Sequence, residues 1–154
     1  MDKLVVIDQV IKALEAEIEA GSKASREAFE VATDEDAYSD GKYDTRSLEA
    51  SYLAGGHAQI VKELGAALQG FFLLRAQYFI EPSSNQIGLG SLVEIESGSK
   101  RTWYILGPGG GGIDVDLNFA TVTVLTIHSP FGQSVSSKTE GDVVELPAGS
   151  ATIR

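Results

Sequence analysis

The 154-residue sequence has no cysteine, two histidines, one tryptophan and one methionine. Without Cys there is no disulfide, thiolate zinc site, iron–sulfur cluster or Cys nucleophile. His57 and His128 alone leave little for a His-based metal centre. Positive charge is also scarce: 12 Lys and Arg stand against 22 Asp and Glu, a formal charge of −10. A broad nucleic-acid surface needs clustered Lys and Arg, so this balance argues against one, although an acidic protein can dock on a basic partner. Long apolar runs are missing too, since a bilayer span needs about 20 such residues. Met1-Asp2-Lys3-Leu4 leads into a mixed-charge segment rather than the apolar block of a signal peptide. The expectation is a soluble, cytoplasmic protein with no membrane contact. At 43% apolar residues the chain can build a core, and its length suits one ordinary domain or two small ones.

No proline occurs before residue 80, where Ala, Glu, Leu and Lys are common. All four prolines lie after it, among β-branched residues, Gly and Ser. This predicts an α+β protein: a helical half over 1–79 and a β half over 80–154.

In the first half Leu4, Ile7, Ile11, Leu14 and Ile18 step by 3 and 4 residues, an a/d heptad seam. The pattern weakens at Gly21-Ser22-Lys23, a point for a break or kink, and resumes with Ala28, Phe29 and Ala32. A helix is predicted over about 2–33. A second seam, Leu53, Ile60, Leu64, Ala67, Phe71, Leu74 and Tyr78, predicts a helix over about 45–78. Helices of roughly 30 residues reach about 45 Å. A short connection makes them antiparallel, a helical hairpin forming an intramolecular coiled coil. The connection, 34–44, holds Asp34, Glu35, Asp36, Asp40 and Asp44 against Lys42 alone. Asp40-Gly41 signals a turn, and Asp44 precedes the second helix as an N-cap would.

The second half reads as short strands: 90–96 and 101–106 as a hairpin, 113–116, 120–127, then 142–146 and 151–153 around Pro147-Ala148-Gly149. Residues 131–139 have room for a helical turn. The expectation is a small, twisted antiparallel β domain.

Two readings of the acidic connection stand open. Carboxylates there suit a hard divalent cation such as Mg²⁺, commonly held by one or two carboxylates with substrate oxygens. The other reading is a solvated turn with one capping Asp. The run Gly109–Gly112 lacks a phosphate-loop Lys-Ser/Thr and reads as a flexible sheet connection. His128 has no Asp or Glu placed to make it a triad base, and His57 is a lone helical histidine. Trp103 and Tyr104 are neighbours on a strand, so they face opposite ways. No self-contained active site emerges.

Several stretches resemble the bacterial Gre transcript-cleavage factors. Ser129-Pro130-Phe131-Gly132, Lys138 and Gly141-Asp142-Val143-Val144 resemble the family's C-terminal signature. Gly90–Ile95 and Thr102-Trp103-Tyr104-Ile105-Leu106-Gly107 resemble its first two strands, and Lys42–Leu53 sits where its tip motif lies. The resemblance covers nearly the whole chain. It implies an N-terminal coiled-coil hairpin with an acidic tip at about 34–44, followed by an FKBP-like β domain. It also implies a monomeric transcription elongation factor, not an enzyme alone, that binds RNA polymerase. The β domain would dock through Ser129, Pro130, Phe131 and Gly132. The hairpin would enter the polymerase secondary channel and meet the nascent RNA indirectly. Tip acids, here Asp36, Asp40, Asp44 and Glu49, would share a Mg²⁺ with the polymerase centre, Asp44 and Asp40 foremost, so that the polymerase cleaves backtracked RNA. DNA binding is a family-level association.

The tip departs from the family's Asp-x-x-Glu pair. One alignment places Leu48 at the motif Glu, with Glu49 at the next position. The ungapped alignment places Asp40 on the motif Asp and Tyr43 on the motif Glu. Gre-fold relatives that bind the channel and inhibit cleavage are therefore the alternative class. A prolyl isomerase or chaperone with a helical arm is the remote one, since few aromatics are available for a proline pocket.

Overall fold

A computed structural model describes residues 1–33, 45–80 and 84–154, with the backbone alone for 32–33 and 45–53. Helix α1 runs Lys3–Thr33 and helix α2 runs Thr45–Gln77. Six strands follow: β1 Leu92–Ser97, β2 Lys100–Gly107, β3 Asp114–Leu117, β4 Ala120–Thr126, β5 Val143–Leu146 and β6 Gly149–Ile153. A short helix α3, Pro130–Val135, lies between β4 and β5. The α+β class read from composition is the class of the structure. No helix among the described residues is long and apolar enough to cross a membrane.

Packing divides the chain into Glu15–Gly65 and a unit joining Met1–Leu14 to Ala66–Arg154. The second unit thus includes the start of α1 and the end of α2 as well as the sheet, whereas composition changes near residue 80.

In the Glu15–Gly65 unit α1 passes Gly21 without a break. A Cβ on Gly21 would lie 2.8 Å from the Val61 side chain, so glycine here permits close helix approach. The Ser25 hydroxyl donates to the Ala54 carbonyl at 3.2 Å. Contacts from 21 to 61 and from 25 to 54 run in opposite chain directions, as the antiparallel pairing requires. The heptad reading of α2 needs correction here: Ile60 is 53% exposed, and Val61 takes the inward position. Leu53, by its side chain, lies outside the described residues. A step of one residue turns a side chain by 100°, and both β-branched neighbours suit the pattern equally well.

In the larger unit, α1 buries Val6, Ile7, Val10, Ile11 and Leu14. This face is wider than the a/d seam, because Val6 and Val10 are also fully buried. A helix that packs into a globular core needs such a broad stripe, while a two-helix seam does not. Tyr78, read as the last seam residue of α2, is 40% exposed beyond the helix end.

The sheet order is β3-β4-β2-β1-β6-β5. Four pairings are antiparallel as expected, but β2 and β4 are parallel, so the sheet is mixed. After β2 the chain reverses into β3 two positions away, and β4 then fills the gap between them. The 107–113 connection therefore bridges roughly 10 Å, two strand spacings. One sheet face buries Val93, Ile95, Leu106, Val144, Ala151 and Ile153 with Ile87 and Val135. The register puts Trp103, Ile105, Val122 and Val124 on the opposite face.

Candidate functional site

Of the acids read as a metal-binding tip, Asp36, Asp40 and Asp44 lie outside the described residues. Glu49 lies on α2, with its side chain also outside them. Among the described residues, no three His, Asp or Glu side chains converge as metal ligands.

The other candidates, Ser129 to Gly132, open α3. Ser129 is its N-cap: the hydroxyl accepts from the Gly132 N–H at 3.0 Å and donates to the Thr126 carbonyl at 2.7 Å. Pro130 follows within the first turn, where a missing N–H leaves no bond unmade. The Phe131 ring stands edge-on to Tyr104 at 5.3 Å, an aromatic pair that joins the buried cluster. A Cβ on Gly132 would collide with the Thr126 carbonyl, so only glycine lets the helix start so close to the end of β4. Each of the four residues thus has a task in the fold. Pro130 alone is exposed; Ser129 and Phe131 are half-buried and Gly132 is buried. His128 and Gln133 flank the turn in solvent, and the Gln133 amide donates to the His128 carbonyl at 3.3 Å.

The rest of the signature continues from this turn. After α3, Ser137 takes a positive φ of 64°. Its N–H donates to the Ile87 carbonyl at 2.7 Å, and the Ile87 N–H donates to the Lys138 carbonyl at 2.8 Å. The pair ties the 84–91 loop to this turn. Asp142 closes the next turn by accepting from the Thr139 N–H at 2.8 Å and from its hydroxyl at 3.1 Å. The backbone bond, with the hydroxyl, holds the Asp142 carboxyl below its ordinary range. Val144 then enters the core. The signature residues thus run without interruption from the end of β4 through α3 and the Asp142 turn into β5.

Across the sheet, Arg154 grips Glu96 in a bidentate pair at 2.9 and 3.3 Å, and Arg101 joins at 3.2 Å. The Arg154 hydrogen bond, aided by the charges of Arg154 and Arg101, lowers the Glu96 pKa. All of these groups are solvent-accessible, so the network is screened and contributes little to stability.

The glycine connection is not the flexible link read from sequence. A Cβ on Gly107 would lie 2.6 Å from the tip of the Phe71 ring and 3.0 Å from Val124. One on Gly109 would lie 2.9 Å from the Ala67 side chain, and one on Gly110 3.2 Å from Leu14. These glycines form the seat on which the ends of α1 and α2 rest. Gly110 and Gly112 also hold φ of 72° and 87°, values that favour glycine.

Sequence reading missed a groove of about 520 Å³ lined from Lys3 and Ile7, Leu74 and Tyr78, and the 86–91 loop. Its wall comes from three distant segments, so no local motif announces it. Beside it, at α2's end, Phe79 and Ile80 are 75% and 78% exposed.

Comparisons with protein-family models and with curated proteins find no match. Among solved structures, the chain is similar to GreA factor homolog 1 of Thermus thermophilus, at 21% identity and a TM-score of 0.35 over 94% of this chain and 90% of that one. It is also similar to the same factor of Thermus aquaticus, at 22% identity and a TM-score of 0.32 over 96% and 89%. A third similar structure is described as a transcription factor, at 20% identity and a TM-score of 0.35 over 96% and 89%.

Proposed function

We propose that this chain is a Gre-like transcription factor that binds bacterial RNA polymerase through its secondary channel and modulates cleavage of backtracked transcripts. One arrangement carries the reading. Two helices of 31 and 33 residues are separated by a segment with five carboxylates and one Lys, and are followed by a domain that carries the Gre-like signature. In this reading Ser129, Phe131 and Gly132 build the docking turn, and Pro130 with its exposed neighbours meets the polymerase. Asp36, Asp40, Asp44 and Glu49 are oxygen donors of the kind Mg²⁺ takes. When bound, such an ion supplies charge for activating water at the polymerase's own centre. The chain contributes acids and their delivery, and carries out no reaction alone.

The missing Asp-x-x-Glu pair favours a second reading, a channel-binding regulator that does not stimulate cleavage. One experiment separates the two. Purified chain is added to stalled, backtracked polymerase with Mg²⁺, and the RNA 3′ end is followed. Shortening that Asp44→Ala reduces at least tenfold supports the cleavage factor. Binding without shortening, with competition against a standard Gre factor, supports the regulator. Absence of binding to polymerase removes both.

A further inference from the structure

The groove beside the end of α2 has no task in the reading above. Its floor is apolar: Ile7, Ile87 and Leu74 are 1%, 8% and 9% exposed. At its rim Tyr78 stands with the Lys3 ammonium 5.4 Å from its ring centroid, and Leu89 is 48% exposed. Phe79 meets Tyr78 edge-on at 5.3 Å and continues the apolar surface with Ile80. Both side chains stand largely outside the core, Phe79 at 75% and Ile80 at 78% exposed. Large apolar side chains left so exposed beside a groove mark an interaction surface.

The charges identify the occupant. Lys3 is the one ionic group on the groove wall and makes no ion pair among the described residues. The nearby cation Arg75 is already matched by Asp8 at 3.2 Å. Lys3 also opens α1, where the amide dipoles add positive potential. A fitting partner therefore presents an apolar side chain for the floor and a carboxylate for Lys3. A second copy fits less well. A two-fold contact must be self-complementary, yet no carboxylate is among the described residues that line the groove to meet the other copy's Lys3, and each chain carries −10.

We infer that this groove is a second docking surface for RNA polymerase, receiving a segment with an apolar anchor beside an acidic residue. The inference rests on the function proposed above. Its test compares full-length wild type with Phe79→Ser/Ile80→Ser, Lys3→Gln and Lys3→Glu for binding to core polymerase, at two salt concentrations. Far-UV circular dichroism confirms that the variants fold. The double variant should bind at least about tenfold more weakly, as loss of an interface anchor does. Lys3→Glu should weaken binding more than Lys3→Gln and reduce its salt dependence. If wild type binds and the variants bind equally well, the groove is not a docking surface, while the proposed function stands. If wild type does not bind, both fall. If sedimentation shows wild-type dimers that the double variant loses, a second copy occupies the groove and the inference is overturned.

Discussion

Gly70 provides a test in which helix propensity and packing predict opposite signs. Glycine in a helix interior is about 1 kcal/mol less favourable than alanine, so Gly70→Ala on α2 should stabilise if the residue faced open space. It does not: a Cβ there would lie 2.9 Å from the Pro108 Cβ and closer still to its Cγ. Carbon atoms settle at about 3.5–4.0 Å, so roughly an ångström of displacement is needed. The Pro108 ring cannot swing away about a free χ1. It follows Gly107, which is itself pressed between Phe71 and Val124. Overpacking of this kind costs about 1–3 kcal/mol. Against the propensity gain, the net expectation is destabilisation by about 1 kcal/mol, a fall in Tm of about 2–4 °C for a chain of this size. Gly55 and Gly56 lie on the same helix, and a Cβ added to either would meet nothing within 4 Å. Their alanine variants should each stabilise by about 0.5–1 kcal/mol. Trp103, the sole tryptophan, reports the sheet-bearing unit by fluorescence, and far-UV circular dichroism reports the helices. Pro108→Gly removes the ring, and in that background Gly70→Ala should become stabilising, a coupling of about 1–3 kcal/mol. If Gly70→Ala instead raises stability in the wild-type background as Gly55→Ala does, the packed seat is refuted.

Ser129→Ala removes the α3 cap and its bond to the Thr126 carbonyl, and should lower stability by about 1 kcal/mol in denaturant melts read at Trp103. An unchanged midpoint would show that α3 does not depend on that hydroxyl. Asp142 and Glu96 have lowered carboxyl pKa values in the folded chain. Their contributions are therefore present above the unfolded-state values, 3.8 and 4.5, and are lost as pH falls through the lower folded values. Asp142→Asn and Glu96→Gln should each flatten the acid limb of the stability–pH curve, and parallel acid limbs for variants and wild type would contradict this.

The elements with local signals were legible in the sequence. The 3-and-4 stepping of Leu4, Ile7, Ile11 and Leu14 located α1, and β-branched alternation located β1, β2 and β4. The turn at Pro147-Ala148-Gly149 located the last hairpin. Composition alone separated the helical half from the β half. What escaped depended on neighbours far away in the chain. Val61 rather than Ile60 faces inward because of where Gly21 lies, forty residues earlier. Parallel pairing of β2 with β4 follows from where β3 is set down, which the strands' own residues do not encode.

The run 107–112 shows why the candidate sites were harder to read than the fold. Glycine is chosen for three different reasons: freedom, positive φ and lack of a side chain. In sequence these look identical. Here the second governs Gly112, the third governs Gly107 and Gly109, and both act at Gly110, while freedom governs none of these. Ser129 and Gly132 pose the same problem in polar form. Their letters first suggest a partner-facing motif, yet cap geometry and the Thr126 carbonyl account for both without a partner. A motif whose letters are explained by its own fold still positions whatever protrudes from it. Under the proposed function, contact with a partner at this turn would fall to Pro130, His128 and Gln133, whose side chains the turn holds in solvent.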